Sequence, residues 1–177
     1  MGTDSIKLFN KTLADKILAM KRGSLTHFLE ENLNNLRQKE FVLNPIMYEF
    51  DKNGGSITDA LETLLTGEYT FESLKSDLVQ DFALGDEEIY LDYWGCYSAI
   101  FNGHPEGSIS SLDYLPEQEE ETFLLLRPDH VDQMIKSLYN HMDDLSVMDK
   151  EQIGKVERSR DFCFSNPNYM VAYLFDF

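Results

Sequence analysis

From residue 5 to residue 20 apolar side chains recur every three or four positions, and Ile6, Phe9, Leu13, Ile17 and Met20 make one stripe of an amphipathic helix. Lys21-Arg22-Gly23 closes it, with basic residues in the last turn and glycine beyond. A second helix opens at Ser24 and runs to about residue 39, carrying Leu25, Phe28, Leu29, Leu33 and Leu36. Residues 1–40 therefore predict an N-terminal helical hairpin. Asn44-Pro45 breaks the pattern, because proline turns the preceding residue away from helix. Residues 47–50 then form a short strand or the approach to a turn.

Further along, Asp51-Lys52-Asn53-Gly54-Gly55-Ser56 has the composition of a loop, and Ser56 or Thr58 caps a helix bearing Ile57, Leu61, Leu64 and Leu65 up to Gly67. Thr70 starts another, with Phe71, Leu74, Leu78 and Phe82, stopping at Leu84-Gly85. The aromatic stretch 89–94 suits a strand, and 122–126 is a buried strand after the acidic loop 117–121. Pro128-Asp129 starts a helix with Val131, Met134, Ile135, Leu138 and Met142 on one face. A last helix spans 149–164 with Ile153, Val156 and Cys163 inside. Asn166-Pro167-Asn168 turns the chain into a β-rich terminal strand over 169–175. No internal repeat stands out. The expectation is an α+β protein, a mainly helical single domain over 1–177 with a small sheet that includes the C-terminal strand.

Composition supports a folded body: 42% of the residues are hydrophobic and 12% aromatic, and 177 residues suffice for one core. No run approaches about 18 apolar residues, and the N-terminus lacks the basic start and apolar stretch of a secretory leader, so a cytoplasmic protein is expected. Gly2 invites a lipidation reading, but Ile6 stands where that motif needs Ser or Thr. Cys96 and Cys163, each with aromatic neighbours, are expected as buried free thiols, with a disulfide between them as the alternative.

Charge changes the picture more than composition does. Residues 46–126 hold 18 Asp and Glu against two Lys, whereas residues 1–45 are net +2 and residues 127–177 net −3, within a whole-chain charge of −17. Such a field repels phosphate backbones and anionic membranes and speeds encounter with basic surfaces. The partner expected is a basic protein, with no direct nucleic-acid binding and no membrane. The acids offered to it are Asp86, Glu87, Glu88, Asp92, Glu119, Glu120 and Glu121, with Trp94 as an aromatic anchor whose alternative role is core packing.

Candidate chemistry is sparse. Asp51, Asn53, Gly55, Asp59 and Glu62 fall at positions 1, 3, 5, 9 and 12 of a calcium loop, but Ser56 stands where that loop needs glycine and Pro45 interrupts the entering helix. His104, in Asn102-Gly103-His104-Pro105-Glu106-Gly107, is a candidate general base that Asp92, Glu106 or Asp113 would orient. His130 and His141 share a helix yet lie about 16 Å apart along it, too far to bind one metal. The phosphate loop, the paired-histidine zinc helix, the serine elbow and the dinucleotide fingerprint are all missing, and no cofactor is expected.

Asp51-Lys52 ahead of a helix ending Leu64-Leu65-Thr66-Gly67, the stop at Leu84-Gly85, the step Leu126-Arg127-Pro128-Asp129-His130-Val131 and an apolar end over 170–175 follow one another in a familiar order. In this the chain resembles the YfbM-like family of small uncharacterised bacterial proteins over residues 45–177. It departs from the family in lacking Trp and His in the helix before Leu-Leu-Thr-Gly, and Gly54-Gly55-Ser56 stands as an insertion. The resemblance implies a compact α+β fold and a bacterial or phage source, and brings no activity with it. The function expected is a non-enzymatic acidic binding protein, such as an immunity protein or an inhibitor of a nucleic-acid-acting toxin or enzyme. The alternatives are a small enzyme with a pocket near Trp94 and His104, and a calcium-binding loop over 51–62.

Overall fold

The computed structural model describes residues 4–32, 44–52, 79–80, 89–91, 104–115 and 119–175. The elements, in chain order, are β1 (Asp4–Asn10), α1 (Lys11–Leu18), α2 (Arg22–Asn32), α3 (Asn44–Lys52), β2 (Val79–Gln80), β3 (Ile89–Leu91), β4 (Ile109–Ser110), α4 (Ser111–Tyr114), β5 (Phe123–Leu126), α5 (Pro128–Asn140), a 3-10 turn (Met142–Asp144), α6 (Val147–Ser165) and β6 (Tyr169–Leu174). The fold is α+β, and its sheet includes the C-terminal strand. The chain forms two compact units, Met1–Phe9 with Asp81–Phe177, and Asn10–Gln80.

The first unit is built on strands in the order β1-β6-β5-β4, with β3 paired antiparallel to β1 so that Ser5 stands opposite Tyr90. β5 and β6 are antiparallel, and Leu124 faces Tyr173 while Leu126 faces Val171. Side chains alternate across a strand, so Ile6 and Leu8, Leu124 and Leu126, and Val171 and Tyr173 share one face. That face packs on Val131, Met134, Ile135 and Leu138 of α5 and on Ile153, Val156 and Cys163 of α6. Each fully buried aliphatic side chain there stabilises by about 1.5–3 kcal/mol. On the opposite face the Phe9 ring meets Tyr114 edge-on at 6.0 Å between centroids and Phe123 at 6.4 Å.

Two capping arrangements fix where the long helices start. Asp149 N donates to Ser146 Oγ at 3.0 Å, and Asp149 Oδ2 accepts from Ser146 N at 3.3 Å and from its hydroxyl at 2.9 Å, a reciprocal box that starts α6 two residues before the expected position. At α5 the proline lies in the first turn, as the sequence suggests.

β1 corrects the expected helix over residues 5–20. Ile6 and Phe9 fit a helical stripe, but Ile6, Lys7, Leu8 and Phe9 are all buried, which a strand covered on both faces allows and a one-sided helix does not. The chain becomes helical only after Asn10, whose Oδ1 accepts from Leu13 N at 3.1 Å and caps α1.

In the second unit α2 and α3 pack together, burying Leu25, Leu29, Ile46, Met47 and Phe50. Thr26 Oγ1 lies 3.5 Å from Met47 Sδ. Here Pro45 lies in the first turn of a helix, where its missing N–H costs nothing and its fixed φ suits the helix. The expected strand or turn over 47–50 is therefore helical. Val79–Gln80 is a strand where the spacing of Leu74, Leu78 and Phe82 predicts helix. The other expected helices over 56–84 lie outside the described residues.

Candidate functional site

Residues 104–111 and 119–130 of the first unit bring together the polar groups with the greatest chemical interest. Pro105-Glu106-Gly107-Ser108 is a turn closed by Ser108 N donating to Pro105 O at 3.0 Å, and Ser108 Oγ donates to the same oxygen at 2.7 Å. Gly107 takes φ +85° at the third position, a conformation that side-chain-bearing residues rarely adopt. A Cβ there would also stand 2.6 Å from Arg127 Nη1.

His130 holds that turn against the start of α5. Its ring is 2% exposed. Arg127 N donates to Nδ1 at 3.1 Å, so the network assigns the proton to Nε2, which donates to Glu106 O at 2.9 Å. The 3.2 Å approach of Arg127 Nη2 to Nε2 is then two donors side by side. Arg127 turns its charge to Asp129 instead, through Nε to Oδ1 and Nη2 to Oδ2, both at 3.0 Å. This hydrogen bond from Arg127 holds the Asp129 carboxyl below its ordinary value, against the opposing effect of desolvation. His141, by contrast, is exposed, with Nδ1 2.8 Å from Ser137 O.

At the entry to β5, Glu121 Oε1 lies 2.7 Å from His104 Nε2 and accepts from Ser110 Oγ at 2.6 Å. Ser110 Oγ also accepts from Leu112 N at 3.2 Å, capping α4, and Thr122 N donates to Ser111 Oγ at 2.9 Å. Serine, carboxylate and histidine are present, but in an order unsuited to a serine nucleophile. Activation needs the imidazole on the hydroxyl with the carboxylate behind it. Here the carboxylate lies between the two, and the hydroxyl already caps a helix.

Among the described residues Glu121 places a carboxylate on His104. Glu106 gives its backbone carbonyl to His130, Asp113 is exposed on α4, and Asp92 lies outside the described residues. Among the expected partner-binding acids, Glu119 and Glu120 are exposed, while Glu121 is part-buried and engaged within the chain. Asp86, Glu87, Glu88, Asp92 and Trp94 lie outside the described residues. So do Asn53, Asp59 and Glu62 of the calcium candidate, and Cys96. Asp51 lies in the last turn of α3, where Arg22 Nε meets Oδ1 at 2.9 Å and Nη2 meets Oδ2 at 3.3 Å, so both oxygens already face a cation. Among the described residues no group of three His, Cys, Asp or Glu side chains is placed to hold a metal ion.

Sequence reasoning missed both Glu121 as the partner of His104 and the burial of His130. The first is a contact between residues 17 apart in the sequence, which no local spacing marks. The second had a signal: His130 is the third residue after Arg127, where a capping-box side chain reaches back to the first backbone N–H. Comparison with protein-family models, with curated proteins and with solved structures gave no match.

Proposed function

We propose that this chain is a non-enzymatic, cytoplasmic binding protein that engages a basic protein partner through its acidic 46–126 segment, acting as an immunity protein or inhibitor of a nucleic-acid-acting toxin or enzyme. The observation that carries the reading is the concentration of 18 acids against two lysines over that segment. A dense carboxylate surface can occupy a site built for phosphates, and it disfavours direct contact with nucleic acid. Exposed Glu119 and Glu120 suit such a surface. The Ser110–Glu121–His104 order further favours binding over acyl-transfer chemistry, because among the described residues a carboxylate, not an imidazole, meets the hydroxyl. Among the described residues no helix is long and apolar enough to cross a membrane.

Kinship with the YfbM-like family belongs to the same proposal. It is supported by the helix opening at Pro128 and by the long helix followed by an apolar last strand.

The test is kinetic. Association with a basic partner recovered from the native host should slow steeply as salt passes physiological strength and the Debye length falls below about 8 Å. Lysine at positions 119 and 120 should slow it further. A salt-independent on-rate removes the electrostatic account, and a turnover abolished by His104→Ala replaces it with the enzyme reading.

A further inference from the structure

We draw no further inference here: the strongest candidate, the side-chain cluster at the entry to β5 in which Glu121 Oε1 meets both His104 Nε2 and Ser110 Oγ, belongs to the site already described.

Discussion

Glu121 reaches His104 across 17 residues of sequence, its Oε1 2.7 Å from Nε2. The same oxygen accepts from Ser110, a residue only 9% exposed, so the carboxylate ties together two segments beside the β4–β5 pair. Glu119 and Glu120, two residues and one residue earlier, are exposed. Three consecutive acids therefore divide into two kinds. Glu121→Ala leaves the Ser110 hydroxyl without its acceptor and should cost about 1–2 kcal/mol in urea unfolding. Glu119→Ala and Glu120→Ala should stay within about 0.5 kcal/mol. Equal stabilities for all three would show that the Glu121 contacts carry no weight in solution.

How much of this was legible in the sequence depended on which physical signal each element carried. α5 and β6 were read almost to the residue, because Pro128 marks a start and because Val131, Met134, Ile135 and Leu138 repeat at helical spacing without competition. β1 was misread because Ile6, Leu8 and Phe9 satisfy both a two-residue and a three-to-four-residue period, and only tertiary burial of both faces decides between them. Residues 47–50 were misread because a proline that breaks the pattern behind it can equally open a helix ahead of it. The candidate site was legible only in part. His104 was found from its loop, but Glu121 lies 17 residues away in the sequence, and no local pattern announces that contact.

His130 should be the histidine whose loss is felt most in the fold. Its ring is 2% exposed and serves both the backbone N–H of Arg127 and the carbonyl of Glu106. His130→Ala strands both groups and opens a cavity, for an expected cost of about 2–4 kcal/mol. His130→Gln should recover part of it, because glutamine at this capping position can accept from the first N–H. His141→Ala, at an exposed ring, should change stability by less than about 0.5 kcal/mol. Gly107→Ala probes the other side of the same contact: the positive φ and the 2.6 Å approach to Arg127 should cost about 1–3 kcal/mol. If urea unfolding ranks His141→Ala with His130→Ala, the turn is not held by His130.

Acid should weaken the protein through identifiable carboxylates. Asp51 is held below its ordinary 3.8 chiefly by the hydrogen bond from Arg22, Asp129 by that from Arg127, and Asp132 by that from Lys136, with Arg160 adding to the last. A carboxylate whose value is lowered by folding stabilises the fold above its unfolded value, and that contribution is lost as pH falls through the folded value. The loss should therefore begin near pH 4 and deepen below it. These pairs are exposed or part-buried, so each contribution is small and screened by salt. Asp51→Asn should flatten the fall of melting temperature below pH 4 while leaving pH 6–8 little changed. An unchanged acid limb would remove Asp51 from the account.

Cys163 offers the sharpest contrast between folded and unfolded chain. Its thiol is 3% exposed in the cluster between α5, α6 and the sheet, and burial pushes its pKa from 9.0 up to about 12. The thiolate is the reactive form, so at pH 8 the shift alone should slow attack on a disulfide reagent by about a thousandfold relative to the unfolded chain. Because folding raises this value, the associated stability is complete below pH 9 and is lost as pH climbs toward 12. The clean experiment uses Cys96→Ser, which leaves Cys163 as the single thiol of the chain. Labelling at pH 8 should be slow in buffer and fast in denaturing urea. Similar rates in the two conditions would mean that α6 does not hold Cys163 against the sheet in solution.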